Sequence, residues 1–336
     1  MSPIAPSRLS VTVASERWPL ITPFRITGYT FYDIELVVVT LDDGRHQGRG
    51  EATGVYYLDD RPPAMLAQIE AVRSQIEAGA DRQQLAQILP PCAARSALDC
   101  ALWDLEAKRA GRPVWRLAGL APPKPLLTTY TIGADAPEAM AERAGGFADA
   151  RALKLKLVGD GLDAARVQAV RESRPEVWLA VDANQGFTPE SLADLTPTLV
   201  EARVELIEQP FHRGQDAFLD GLKSPIPIAA DESVQGLADV AAMVGRAQVI
   251  NIKLDKCGGL TEGLAMAAEA RRLGLGVMVG NMLGTGLGMA PAYLVGQLCD
   301  VVDLDGPLLL AADRTPGAVY RDGLVDCPEA LWGGAA

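Results

Sequence analysis

A chain of 336 residues with an apolar share of 49% can build a sizeable core, and its length suggests two domains or one large α/β barrel with an appendage. Its 31 Lys and Arg against 43 Asp and Glu give a formal net charge of -12, which argues against nucleic acid or an anionic membrane surface as a partner. Five cysteines without a C-x-x-C pair fit a reduced, cytoplasmic chain rather than a secreted disulfide framework.

The first twenty residues, "MSPIAPSRLSVTVASERWPL", lack the basic start and apolar run of a signal peptide. "RLSVTVASERWPL" and "DIELVVVTLDDGRHQGRGEA" predict antiparallel strands with an Asp-Asp-Gly turn, followed by helices. "AARSALDCALWDLEAKRAG" has helical spacing and a stop at Gly111. Residues 1–120 are therefore expected to form most of an α+β capping domain, to which the segment 307–336 returns.

Residues 121–306 alternate short β-like runs with helical segments. The runs are "LTTYTI", "ALKLKLV", "VWLAVDAN", "VELIEQP", "IPIAADES", "QVINIKL", "GVMVGN" and "VVDLD". Eight such units predict an α/β fold, a modified TIM barrel of (β/α)7β type whose last strand runs into the tail. The uncharged stretch 274–298 is long enough to test as a membrane span. Gly280, Asn281, Gly284, Thr285 and Pro291 break it into strand, loop and helix instead.

In such a barrel the active site lies at the C-terminal ends of the strands. Asp182, Glu208 and Asp231 end three successive runs, 26 and 23 residues apart. Three converging carboxylates need a cation, and an all-oxygen set points to a hard ion, Mg²⁺. The plainer alternative, that each caps the next helix, accounts for one such residue more easily than for three in register. Asn184 and Glu232 are placed to orient the ligands.

Period-two alternation sends Leu153, Leu155 and Leu157 outward and Lys154 and Lys156 inward, and it puts Asn251 and Lys253 inward on the sixth run. Solvated strand ends or a single counter-charge explain one lysine more easily than three inward ones. Holding a lysine neutral at pH 7 costs roughly 4.6 kcal/mol from an unperturbed pKa of about 10.4. A nearby cation or second ammonium lowers that cost, a service Lys154 can render its neighbour. With His46 and His212 as the two histidines, neither on a barrel run, a histidine base there is excluded. Asp303 and Asp305 share one face of the eighth run, as turn residues before Gly-Pro or as acceptors for a substrate ammonium.

"GDGLDA", residues 159–164, fits a G-x-G-x-x-A nucleotide fingerprint, with Asp182 following 18 residues later. Against that reading, Asp160 would face the pyrophosphate and the preceding strand bears lysines.

Together "KLK", "DAN", "EQP", "ADES", "NIKLDKCGGLTE" and "DLD" resemble the enolase superfamily, in particular the dipeptide epimerases of its muconate-lactonizing-enzyme-like subgroup, over nearly the whole chain. The resemblance implies a 1,1-proton transfer at the α-carbon of a dipeptide's C-terminal residue. Mg²⁺ held by Asp182, Glu208 and Asp231 would bind the substrate carboxylate and stabilise an enediolate. One of Lys156 and Lys253 would remove the α-proton and the other return one to the opposite face. Lys154 would support Lys156, and Asp303 and Asp305 would bind the dipeptide ammonium.

Epimerases of L-Ala-D/L-Glu in this family carry an arginine in the cap loop after "TPF". Here "TPFRITGYTFYD" places Gly28 and Tyr29 at that point. The second cap loop, "EATGVYYLDDRP", offers Tyr56 and Tyr57 with Asp59 and Asp60. The aromatic walls favour a hydrophobic second residue, while the aspartates leave a cationic one open. Alternatives within the superfamily are an N-acylamino acid racemase, an o-succinylbenzoate synthase and a cycloisomerase, whose substrates lack the ammonium that "DLD" would hold. A non-catalytic metal or metabolite binder would not need opposed lysines. Oligomeric state is left open, a homo-oligomer included.

Overall fold

The chain opens with an antiparallel sheet of β1 (Ser10–Ile26), β2 (Tyr29–Asp42) and β3 (Gln47–Ala52). It is described by a computed structural model covering residues 9–335; residues 1–8, part of the stretch read above for a signal peptide, and residue 336 lie outside the described residues. The Asp-Asp-Gly turn forms as read: Gly44 has φ 83°, and the Asp42 and Asp43 carboxylates accept from the N–H groups of residues 44–46. The segment after "TPF" is not an open loop. The register of β1 on β2 shifts between Pro19 and Phe24, and β1 then continues to a tight hairpin at Thr27 and Gly28, where Gly28 takes φ 76°.

Helices α1 (Pro62–Glu77), α2 (Arg82–Ile88), α3 (Ala93–Ala110) and α4 (Val114–Leu117) follow. α3 ends where Gly111 turns left-handed. It lies so close to β3 that a Cβ on Gly50 would stand 2.1 Å from Ala97 O, so only glycine fits there. Val37, Val39 and Leu41 of β2 bury against Met65, Ile69, Leu98 and Leu105 of the helices, which gives the cap a core of its own.

The second unit runs in chain order through β4 (Leu126–Leu127), β5 (Tyr130–Ile132), α5 (Pro137–Gly146), β6 (Ala152–Lys156), α6 (Asp163–Ser173), β7 (Trp178–Asp182), α7 (Pro189–Glu201), β8 (Leu206–Glu208), β9 (Ile228–Ala230), β10 (Val249–Ile252), α8 (Leu254–Cys257), α9 (Leu260–Arg272), β11 (Gly276–Val279), α10 (Gly286–Gly296), β12 (Val301–Val302) and α11 (Gly306–Leu309). Strands β5 to β12 form one eight-stranded parallel sheet in sequence order. It curls until its ends meet, the Thr129 N–H donating to Val302 O at 3.0 Å.

Each of the eight runs read from the sequence contributes a barrel strand, with two differences. "LTTYTI" is divided: Leu127 belongs to β4, which pairs outside the barrel with Leu324 and Val325 of the tail. The connections after β8 and β9 carry 3-10 helices, Asp216–Leu219 and Leu237–Met243, instead of α-helices. Gly214 and Gly221 flank the first of these and Gly236 and Gly245 the second, residues that disfavour extending either into a longer helix.

Alternation holds on β6. Leu153, Leu155 and Leu157 join the cluster under the outer helices, while Ala180, Leu206, Ala229 and Met278 fill the barrel interior. That apolar plug leaves the polar residues to the mouth. The uncharged stretch 274–298 resolves into β11, a loop and α10, and no helix among the described residues is long and apolar enough to cross a membrane.

The tail carries β13 (Val319–Arg321) and β14 (Leu324–Asp326), which pair with each other and with β4, and residues on either side of them return to the cap. Ala311 N–H donates to Pro19 O, Arg314 pairs with Glu16 and Glu51, and the Trp332 indole donates to Arg49 O.

Candidate active site

Lys156, Asp182 and Glu208 stand abreast at the ends of β6, β7 and β8, because the parallel register pairs Lys156 with Asp182 and Asp182 with Glu208. Asp231 follows β9, and Lys253 follows β10. All five side chains are buried. Lys154 Nζ reaches Glu208 Oε2 at 2.7 Å, Asp303 Oδ2 at 2.8 Å and Asp182 Oδ2 at 3.1 Å. Lys156 Nζ lies 2.5 Å from the same Asp182 oxygen, and Lys253 Nζ lies 2.6 Å from Asp231 Oδ2.

The flanking polar residues set the carboxylates. Asn184 donates its N–H to Asp182 Oδ1 at 2.8 Å and its amide to Glu232 Oε1 at 3.3 Å, while Asn251 Nδ2 donates to Glu208 Oε1 at 3.0 Å. Asn184, Gln185 and Gln209 all hold positive φ (41°, 70° and 36°) at these strand ends. Backbone strain concentrated where "DAN" and "EQP" leave the barrel is typical of functional sites.

Six buried carboxylates, of Asp182, Glu208, Asp231, Glu232, Asp303 and Asp305, share this mouth with four buried lysines, Lys154, Lys156, Lys253 and Lys256. With every group ionised, two negative charges lack a partner. Burial and the Asp182 charge push Glu208 up, and burial with Asp231 and Asp182 pushes Glu232 up to about 8. Burial also acts on Asp182 and Asp231, but the lysines outweigh it and hold both below the usual carboxylate range. Lys154 is lowered by burial and raised more strongly by Asp303, Glu208 and Asp182, so it stays an ammonium.

Above the mouth lies a cavity of about 430 Å³ between barrel and cap. Lys156, Lys253, Asn184, Thr131 and Asp305 form its floor; Phe24, Ile26, Phe31, Ile34 and Tyr56 form much of its roof.

Residues 134–330 match the family described as "Enolase C-terminal domain-like", and residues 8–119 match "Mandelate racemase / muconate lactonizing enzyme, N-terminal domain". The chain belongs to the enolase superfamily. The L-Ala-D/L-Glu epimerase of Escherichia coli strain K12 is 39% identical over 316 residues, covering 94% of this chain and 98% of its own. A crystal structure of an enolase family member from Agrobacterium tumefaciens with homology to dipeptide epimerases, with bound sodium and L-Ala-L-Glu, superposes with a TM-score of 0.94 at 43% identity over 97% of this chain and 100% of its own. A dipeptide epimerase from Methylococcus capsulatus, complexed with Mg and L-Arg-D-Lys, superposes with a TM-score of 0.88 at 31% identity, covering 96% and 97%.

Within this enolase-superfamily barrel, several placements differ from the sequence reading. Lys154 is not simply a charge beside Lys156: its ammonium is shared among three carboxylates. Asp303 is turned away from the cavity, since Lys154 and the Thr129 hydroxyl at 2.6 Å take its oxygens, whereas Asp305 lines the floor. Tyr56 lines the roof; Tyr29 packs behind it, ring centroids 4.5 Å apart. "GDGLDA" is no phosphate cradle. The Asp163 carboxylate accepts from the N–H groups of Val158 and Gly159, and Arg166 ties Asp160 to Asp163.

Strand alternation ends before Lys256, so the sequence pattern does not assign it to the site. Its ammonium donates to Asp231 Oδ1 and Asp231 O, each at 2.6 Å, and to Asn251 O at 3.1 Å. The readable signal was a lysine three residues after Lys253, one helical turn on.

Proposed function

We propose that the chain is a Mg²⁺-dependent dipeptide epimerase that moves the α-proton of the C-terminal residue between two lysines. The observation that carries this reading is the placement of Lys156 and Lys253. Lys156 ends β6 and Lys253 follows β10, four steps apart around an eight-stranded barrel, and both open into one cavity. An α-carbon held between them presents one face to each amine, the geometry that removal from one side and return on the other requires.

Among the described residues no three His, Cys, Asp or Glu side chains stand ready to hold a metal, because Lys154, Lys156, Lys253 and Lys256 engage the oxygens of Asp182, Glu208 and Asp231. The donor set nevertheless fits a hard dication. It is all oxygen, it stands at the ends of three adjacent strands, and burial beside the other carboxylates pushes Glu208 and Glu232 up, a cost that a cation there would relieve. Sharing a cation among Asp182, Glu208 and Asp231 requires the flexible ends of Lys156 and Lys253 to withdraw from Asp182 and Asp231. Mg²⁺ bound there supplies the positive charge that a substrate carboxylate needs while its α-carbon is deprotonated. The relatives above named for dipeptides, one complexed with Mg, support both assignments.

The chain's own residues supply the rest. Lys156 and Lys253 hold and exchange the proton. Lys154 and Lys256 keep Asp182, Glu208 and Asp231 in place, and Asp305 on the floor receives the dipeptide ammonium. The roof favours an apolar second side chain over an anionic one. Its cations are already paired, Arg17 with Glu35 at 2.9 Å and Arg61 with Asp59 at 3.2 Å, and Arg25 points toward Asp160. Five cysteines without a disulfide support a reducing, cytoplasmic setting.

The test is chiral separation of products after incubating the protein and MgCl₂ with L-Ala-L-Leu, L-Ala-L-Phe and L-Ala-L-Glu. Conversion to the L,D forms is expected, with Leu and Phe ahead of Glu. Equal turnover of Glu and Phe contradicts the apolar preference, and no conversion of any dipeptide contradicts the function.

A further inference from the structure

We propose that Asp255 is a positioning residue for this reaction: it clamps the roof loop 53–60 to the turn that carries Lys253, and so fixes the height of the roof above the proton-transferring amines. The inference rests on the epimerase reading of the site.

Asp255 sits in the four-residue helix α8, whose N-cap is Lys253. Its Oδ1 accepts from the backbone N–H groups of Thr53 at 2.8 Å and Gly54 at 3.0 Å, both more than 200 residues away in sequence. One short turn thus sends Lys253 into the cavity, Lys256 onto Asp231 and Asp255 up to the cap. The Thr53 hydroxyl adds a second tie to the barrel, donating to Leu283 O at 2.7 Å.

The loop that Asp255 holds is closed at its far end as well. Val55 and Asp60 pair through their backbones, and Asp60 Oδ2 accepts from the N–H of Ala93 at the start of α3. Gly54 has φ 96°, and a Cβ there would meet Asp60 O at 2.1 Å, so the closure is tight. Between the two anchors the chain has few conformations left. There it presents Tyr56 to the cavity, while the Tyr57 hydroxyl accepts from Gln235 Nε2 at 3.1 Å.

A clamp of this kind acts on substrate binding more than on the chemical step. Loosening the roof leaves Lys156 and Lys253 in place but lets the wall that receives the side chain move. Asparagine keeps an acceptor oxygen at the same reach and should preserve the clamp; alanine leaves two N–H groups without their acceptor.

The experiment compares Asp255→Asn, Asp255→Ala and Asp255→Ser with the wild type, using steady-state epimerisation of L-Ala-L-Leu and amide hydrogen exchange of the segment 51–60. The expected result is a KM raised about tenfold or more in the Ala and Ser variants with kcat within about threefold. Both constants should lie within about twofold of wild type in the Asn variant, and exchange of residues 53 and 54 should speed at least tenfold only in Ala and Ser. A folded Ala or Ser variant with unchanged KM, or one that loses kcat at constant KM, overturns the proposal. If the Ala variant does not fold, the Ser variant decides. If the wild type turns over no dipeptide, the epimerase reading fails, and unchanged exchange at residues 53 and 54 in the Ala or Ser variant separately overturns the clamp.

Discussion

Lys154 and Asp303 form a buried ion pair, Nζ to Oδ2 at 2.8 Å, that joins β6 to the segment leaving β12 next to the seam of the barrel. Removing the lysine leaves Asp303, and in part Glu208 and Asp182, as uncompensated buried charges, which costs about 3–5 kcal/mol. Lys154→Met is therefore expected to lose that much stability in urea unfolding. The double variant Lys154→Met with Asp303→Asn should recover part of it, and a single variant as stable as the wild type contradicts the pairing.

Metal binding should depend on the three strand-end carboxylates. Titration calorimetry with MgCl₂ is expected to show one site per chain in the wild type and none in Asp182→Asn or Glu208→Gln at the same concentrations. Saturating Mg²⁺ at about 100 times its Kd should stabilise the wild type by about 2.7 kcal/mol. Chelation should abolish epimerisation and re-addition restore it. Undiminished binding in both variants contradicts the ligand set.

Burial pushes the Asp255 carboxyl up to about 7, against the N–H groups of Gly54 and Thr53, which favour its ionised form. The unfolded chain has an aspartate pKa of about 3.9, so the folded protein binds this proton more tightly. Its contribution, on the order of 4 kcal/mol, is fully present below about pH 4 and is lost as pH rises through about 7. Between pH 5 and pH 8 the wild-type Tm should therefore fall more steeply than that of Asp255→Asn. Parallel curves contradict a carboxyl protonated by burial.

Much of the site could be read along the chain because a strand obeys a period of two. Lys154 and Lys156 between leucines, and Lys253 between Ile252 and Leu254, announce their side of the sheet from sequence alone. What alternation cannot convey is depth. It places Asp303 and Asp305 on one face but not that Lys154 draws Asp303 down while Asp305 stays at the floor of the cavity. Nor does it extend past a strand end, which is why Lys256, one helical turn beyond Lys253, and the reach of Asp255 to Thr53 went unread. The cap hairpin at Gly28 was legible only as a loop, since its tightness depends partly on the Thr27 hydroxyl docking near Leu157 O and Ala183 O of the barrel.

Deuterium incorporation tests the two-lysine proton transfer most directly. With the wild type, Mg²⁺ and L-Ala-L-Leu in D₂O, the mass should rise by one deuteron, located at the α-carbon of the leucine. Lys156→Ala and Lys253→Ala, folded by circular dichroism, should each slow epimerisation by about 10²–10⁴-fold. No deuteron in any dipeptide, or full epimerisation in both lysine variants, would contradict the account.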